Sequence, residues 1–268
     1  MNLMYSASGF AVGLLVGITG VGGGSLMTPL LVFLFGFKAS VAVGTDLLYA
    51  AITKTGGVFV HHGKHNSVDW RIVGLLASGS IPMAILTLFA IKHYMDIGKE
   101  TTGIITYSLG IALILTASAL LIRAYFLRNN KGQIDDDHST IQNAGRFAPR
   151  WEIPATILTG MILGVLVTLS SVGAGALGTV ALLFLYPRMS TLKIVGTDLA
   201  HAIPLTAIGG FGHWVLGNVD FTLLGSLLIG SLPGIWIGSH LSAKIPEQYL
   251  RPVLASVLLL IGIKFVTQ

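Results

Sequence analysis

The sequence predicts an all-α integral membrane protein made of two inverted repeats, each of about five hydrophobic segments, with short broken or re-entrant helices at glycine motifs. Three observations carry this reading. First, 53% of the 268 residues are hydrophobic and only 10% charged, with a mean hydropathy of +0.81. A soluble domain carries about 25% charged residues to wet its surface, so charge is too scarce here to cover a water-facing shell. Second, the apolar residues form many separate runs, and a bilayer-spanning helix needs roughly 20 of them. Third, motifs in the first half recur in order in the second half. The 34 glycines fit the same picture, because small residues let membrane helices approach closely.

The first repeat, residues 1–127, holds apolar segments near Leu3–Thr19, Ser25–Phe37, Val41–Val60, Ile72–Ile91 and Thr101–Leu127. Met1 to Phe10 contains no Lys or Arg, so it lacks the basic n-region of a cleaved signal peptide and starts the first membrane segment. The second segment is short and follows the break Thr19-Gly20-Val21-Gly22-Gly23-Gly24-Ser25. A glycine cluster continues a helix only at a cost. It also frees backbone groups that lipid cannot satisfy, so it must face protein or water.

Residues 128–152 are polar, with the run Asp135-Asp136-Asp137, and read as a solvated cytoplasmic loop between the repeats. The second repeat, 153–268, holds segments near Ile153–Leu169, Ala174–Tyr186, Leu192–Leu216, Phe221–Leu241 and Tyr249–Val266. Gly9 and Gly13 match Gly160 and Gly164, an offset of 151. Gly22 and Gly24 match Gly173 and Gly175 at the same offset, and Asp69 and Pro82 match Asp220 and Pro233. Thr45-Asp46 matches Thr197-Asp198 at an offset of 152.

Charge decides whether the copies are parallel or inverted, since cytoplasmic loops are enriched in Lys and Arg. With five crossings per half and the 128–152 loop inside, the inside loops hold Lys64, Arg71, Arg123, Arg128, Lys131, Arg146, Arg150, Arg188, Lys193, Lys244 and Arg251. The outside loops hold only Lys38, Lys92, Lys99 and Lys264. Fusing the first two segments of each half erases the bias. An odd number of crossings per half inverts the second copy and leaves both ends of the chain outside. A re-entrant hairpin in each half preserves that parity.

Inverted repeats with interrupted helices place binding sites near the midplane, where broken helices aim free N–H groups at anions. The expected anion-binding groups are therefore Thr19, Gly20, Gly22, Gly23, Gly24 and Ser25 in the first copy, with Ser170, Ser171, Gly173 and Gly175 in the second. The alternative for these breaks is close helix packing or a plain turn. Thr45 and Thr197 join the expected ligands, with helix capping as their alternative. Asp46 and Asp198 read either as helix-end carboxylates or as coupling groups, because a carboxylate inside a membrane is costly and often functional. His201, one turn after Asp198, is a candidate proton relay or a neutral packing residue. Lys54 has no counterpart, since Thr206 takes its place. It is expected to contact an anion, to pair with a carboxylate such as Asp46, or to snorkel.

His61, His62 and His65 have weak metal-ligand spacing and no matching carboxylate, so no metal site is assigned. No cofactor is expected. Trp70, Trp151, Trp214 and Trp236 are expected as interface anchors or packing residues and not as cofactor contacts. Cysteine is absent, which removes thiolate chemistry. The net charge of +5 is spread over loops, which points to an anionic leaflet and not to nucleic acid.

Gly17-Ile-Thr-Gly-Val-Gly-Gly-Gly-Ser25 followed by Pro29, then Ala42-Val-Gly-Thr-Asp46, resembles the TauE/SafE family of sulfite exporters, also called the toluene-sulfonate uptake permease family. Ser171-Val-Gly-Ala-Gly175 and Val195-Gly-Thr-Asp198 are similar to that family's degenerate second copy. The resemblance covers nearly the whole chain. It implies a transporter of small sulfur-containing anions, such as sulfite, sulfonates or sulfoacetate, in a bacterial cytoplasmic membrane. The family often carries Thr-Ser where this chain has Thr-Asp, so the roles of Asp46 and Asp198 do not come from the resemblance. The competing readings are an anion channel with the same glycine-lined site, and an intramembrane enzyme. The latter offers only Ser25 with His201 and no motif, so the chain is not expected to be an enzyme. The expected partners are a small anion and the lipid bilayer, with a homodimer left open.

Overall fold

The computed structural model describes residues 3–19, 24–65, 68–97, 101–129, 149–242 and 247–267. Among them are α1 (Leu3–Thr19), α2 (Gly24–Phe35), α3 (Ala39–His65), α4 (Trp70–Asp96) and α5 (Thr102–Asn129) in the first half. The second half has α6 (Pro149–Ser170), α7 (Ala176–Leu185), α8 (Thr191–Val215), α9 (Phe221–Ser242) and α10 (Glu247–Thr267). No strand occurs among the described residues. Each helix falls on one expected apolar segment, but α2 stops at Phe35, short of the expected Phe37, and α7 starts at Ala176 because Ala174 and Gly175 are in the turn. α5 and α6 extend into the expected 128–152 loop, as far as Asn129 and from Pro149. α3 runs past the expected Val60 to His65, because no proline or Asx stop falls before Asn66. The backbone at His61, His62 and His65 is therefore helical, and their side chains lie outside the described residues.

The packing is that of a membrane protein, apolar outside and polar within. Leu158, Ile162, Ile229, Leu232 and Leu260 are exposed on the rim, while Asp46, Asp198, Lys54 and His201 are buried. In water such a surface would aggregate, and in lipid it is the solvated face. Five helices are long and apolar enough to cross a bilayer among the described residues: α4, α8 and stretches of α5, α6 and α9. Trp70, Trp151, Trp214 and Trp236 are all exposed. Trp214 also packs edge-on against Phe211 and Phe221.

Helix contacts cross between the halves and repeat when the halves are exchanged. α1 packs on α9, and its counterpart α6 packs on α4. α3 packs on its own counterpart α8, and α5 on its counterpart α10. Glycines set the contacts by removing side-chain bulk. A Cβ at Gly9 would overlap the Leu227 carbonyl and one at Gly13 the Ser231 carbonyl. At the matched positions, a Cβ on Gly160 would overlap the Leu76 carbonyl and one on Gly164 the Ser80 carbonyl. Rising numbers on one helix meet rising numbers on the other, so both pairs are parallel, with the small-xxx-small spacing of close membrane crossings.

The central pair runs the other way. Gly44 abuts His213 and Asn218, and Leu48 abuts Gly210, so α3 and α8 are antiparallel. Gly110 meets Phe265 and Val266 while Ile114 meets Gly262, so α5 and α10 are antiparallel too. The α4 and α8 N-termini lie together, because Lys193 pairs with Asp69 at 3.4 Å. An exposed ion pair contributes little stability, but it places Arg71, Arg188 and Lys193 on one face. These three residues belong to the more basic set of loops in the charge count.

Candidate functional site

The site is built where α6 breaks before α7. Ser171 has a φ of 58°, Gly173 of 114° and Gly175 of 130°. These left-handed turns are cheap for glycine and rare for other residues. They also redirect the hydrogen bonds. The N–H of Gly178 donates to the Gly173 carbonyl at 3.3 Å, so the Ala174 carbonyl loses its helical partner. Ser170 steadies the turn, its hydroxyl accepting from the Val172 N–H at 3.1 Å.

Lys54, on α3, fills that vacancy. Its ammonium donates to the Ala174 carbonyl at 2.8 Å, and the residue is 5% exposed. Both Asp46 and Asp198 lie within Coulombic range of it. This backbone carbonyl is none of the three partners expected for Lys54, because only the fold brings residue 174 beside residue 54.

Asp46 and Asp198 sit on the second turns of α3 and α8, inside the helices and not at their caps. Each carboxylate is held by a threonine from the short helix of its own copy. Thr28 donates to Asp46 Oδ2 at 2.5 Å, and Thr179 donates to Asp198 Oδ2 at 2.8 Å. Thr179 also points at the Gly175 carbonyl, so one hydroxyl hydrogen faces two acceptors. Ser171 lies beside the Asp46 carboxyl, and no hydrogen bond of ordinary geometry reaches Asp46 Oδ1 or Ser171 Oγ among the described residues. Gly178 presses so closely on Asp198 that a Cβ there would overlap Oδ1.

The threonines before the two aspartates have a different task. The Thr45 hydroxyl accepts from the Asp220 N–H at 3.1 Å, and the Thr197 hydroxyl accepts from the Asp69 N–H at 2.9 Å. Each ties the central helix of one copy to the start of a helix in the other. Asp69 in turn caps α4 by accepting from the Arg71 and Ile72 N–H groups. Asp220 likewise accepts from the Leu223 N–H at 2.9 Å.

His201 Nε2 lies 2.8 Å from Ser80 Oγ, in the tight α4–α6 contact, and the residue is 1% exposed. Its match at an offset of 152 is Tyr49, which faces Ser231, the match of Ser80. His213, also buried, donates from Nε2 to the Thr168 carbonyl at 2.9 Å and fastens α8 to α6.

Sequence reasoning missed Thr28, Thr179, Tyr49 and His213. The register that pairs Gly22 with Gly173 also pairs Thr28 with Thr179, so that signal was present. Thr19, Gly24 and Ser25 belong to helix ends whose side chains lie outside the described residues. Gly20, Gly22 and Gly23 lie outside them altogether, so the first break is not placed against the second.

An apolar rim, buried ionisable groups in the middle and a helix broken beside them define a multi-pass membrane transport protein. The chain belongs to the family described as "Sulfite exporter TauE/SafE", which matches residues 5–265. It is 38% identical over 269 residues to the probable membrane transporter protein YjnA of Bacillus subtilis, covering 99% of this chain and 100% of that one. It is 28% identical to the probable membrane transporter protein YdhB of the same organism, covering 94% of this chain and 97% of that one. The probable membrane transporter protein MJ0441 of Methanocaldococcus jannaschii is 26% identical, with 95% of this chain and 91% of that one covered. No solved structure matches the chain.

Proposed function

We propose that the protein is a secondary transporter of a small sulfur-containing anion of the sulfite, sulfonate or sulfoacetate class, proton-coupled, in a bacterial cytoplasmic membrane. One observation carries this reading: the buried Lys54 ammonium stands at the α6–α7 break, against the Ala174 carbonyl. A cation held beside an unwound helix, with the hydroxyls of Ser170 and Ser171 at hand, suits an anion with several oxygen acceptors. The first break, with Thr19, Gly20, Gly22, Gly23, Gly24 and Ser25, is proposed to face the same space. The family description, which names a sulfite exporter, supports the sulfur-anion class.

The two aspartates supply the coupling. Ionised Asp46 and Asp198 would together outweigh Lys54 and repel an arriving anion, and unbalanced charge in a buried site is costly. Protons on them restore the balance, so anion and proton occupy the site together. Thr179 supports this assignment. A proton on Asp198 lets it donate to Thr179 while Thr179 donates to the Gly175 carbonyl, which satisfies both acceptors with one hydrogen each. His201 with Ser80 extends the path toward α4. Thr45 and Thr197 act as positioning residues, since their hydroxyls are committed to backbone amides.

The antiparallel runs of α3 with α8 and of α5 with α10 support copies that face opposite sides of the membrane. Rocking of one bundle against the other then exposes the site alternately. Purified protein in liposomes, offered labelled sulfite, sulfoacetate, taurine, thiosulfate and sulfate, tests the proposal. Saturable flux of at least one anion, faster under an imposed pH gradient, is expected. No flux of any of them would refute the sulfur-anion class, and unsaturated current without pH dependence would establish the channel instead.

A further inference from the structure

The geometry points to a monovalent-cation site at the α6–α7 break, one that the Lys54 ammonium itself occupies, so that the native protein takes no free alkali ion there. The ammonium donates to one backbone carbonyl and has two buried carboxylates within Coulombic range, and hard oxygen groups of these kinds are the ones that hold an alkali or alkaline-earth ion. The Ala174 carbonyl, left without its helical donor, accepts from Nζ at 2.8 Å. The Asp46 and Asp198 carboxylates lie within Coulombic range, each carrying a threonine hydroxyl on Oδ2. Asp46 is fully buried, and its Oδ1 has no hydrogen-bond partner among the described residues. Unwound backbone carbonyls hold coupling cations in transporters, and carboxylate oxygens are common ligands of hard cations. Here the cation is covalently attached to α3.

The repeat shows what the same position looks like without it. Thr206 replaces Lys54 at an offset of 152, and its hydroxyl bonds back to the Ala202 carbonyl of its own helix at 2.8 Å. One copy thus supplies a positive charge and the other does not. A tethered ammonium cannot be exchanged across the membrane, so the native cycle is independent of Na⁺ and K⁺ and is left to protons. Cutting the tether short empties the site for a free ion.

This inference rests on the transport reading only for its bearing on the cycle, and its test involves no anion substrate and no flux. The unfolding temperature of purified wild-type, Lys54→Thr and Lys54→Met protein is measured in NaCl, KCl and choline chloride at equal ionic strength. Lys54→Thr is expected to gain about 5 °C or more in saturating NaCl or KCl over choline chloride. Wild type is expected not to respond, nor Lys54→Met, whose thioether stem fills the space. Adding Asp198→Asn to Lys54→Thr should remove the gain. A Lys54→Thr protein that responds to Na⁺ and K⁺ no more than to choline overturns the inference, as does an equal gain in wild type. If Lys54→Thr does not purify as a monodisperse protein, Lys54→Ala takes its place. Failure of both in all three salts also overturns the inference, because an emptied alkali-ion site would fill in NaCl or KCl and hold the fold. Absence of anion flux in wild type would refute the transport proposal and leave this result standing.

Discussion

Replacing Lys54 by Met removes one positive charge from a site that is 5% exposed, together with its hydrogen bond to the Ala174 carbonyl. Two effects follow, and they are measured separately. For the anion, the lost partner is a charged donor, and such hydrogen bonds contribute roughly 1.5–3 kcal/mol. Each 1.4 kcal/mol is about tenfold in affinity, so the dissociation constant should rise about 10- to 150-fold. For the fold, Asp46 and Asp198 lose their counter-charge, and breaking a buried pair by removing one partner costs about 3–5 kcal/mol. In a chain of this size that corresponds to a melting-temperature drop on the order of 10 °C. Lys54→Arg keeps the charge on a longer fork and should hold anion affinity within about tenfold of wild type. Isothermal titration of purified protein with sulfite or sulfoacetate at low salt reads the first effect, and a thermal melt without anion reads the second. Equal dissociation constants for the Met and Arg variants would refute Lys54 as an anion ligand, whatever the melts show.

Gly178→Ala should impair flux strongly, because the new methyl overlaps Asp198 Oδ1, whereas Gly225→Ala, which meets nothing within 4 Å, should transport normally. Gly164→Leu drives a side chain into the Ser80 carbonyl, and size-exclusion profiles after mild heating should show the bundle failing at lower temperature by about 1–3 kcal/mol or more. Thr45→Ala and Thr197→Ala each strip one hydrogen bond from a helix start in the opposite copy and should each cost about 1 kcal/mol in a thermal melt. The two positions lie in separate contacts, so the double variant should be near additive. Asp198→Asn keeps a partner for Thr179 but cannot take up and release a proton, so the protein should exchange anion across the membrane without accumulating it under a pH gradient.

The apolar runs made the helices legible, because the bilayer imposes a length and a composition on every crossing. α1 is described from Leu3 to Thr19, the bounds expected for the first apolar segment. The matched motifs of the two halves were legible too, and they marked Asp46 and Asp198 as a pair. The partners of the buried groups were not legible. Lys54 meets a backbone carbonyl 120 positions away, and any residue type presents a carbonyl, so no side-chain pattern records the contact. Thr28 and Thr179 sit in apolar helices where a threonine is unremarkable. Their meaning appears only once α2 and α7 lie against the aspartates. Thr45 and Thr197 carried a strong motif whose purpose is long-range: a hydroxyl in one copy secures a helix start in the other, and periodicity along one chain does not report that.

The crossed seating of α1 on α9 and of α6 on α4 means that neither half owns a complete set of neighbours. Each lends its opening helix to the other, so cutting the gene between residues 130 and 148 should yield two pieces that become stable only when made together. On the inverted-repeat reading proposed above, a single five-helix ancestor could form these same seams only by meeting a second molecule inserted the opposite way up, its first helix handed to its neighbour.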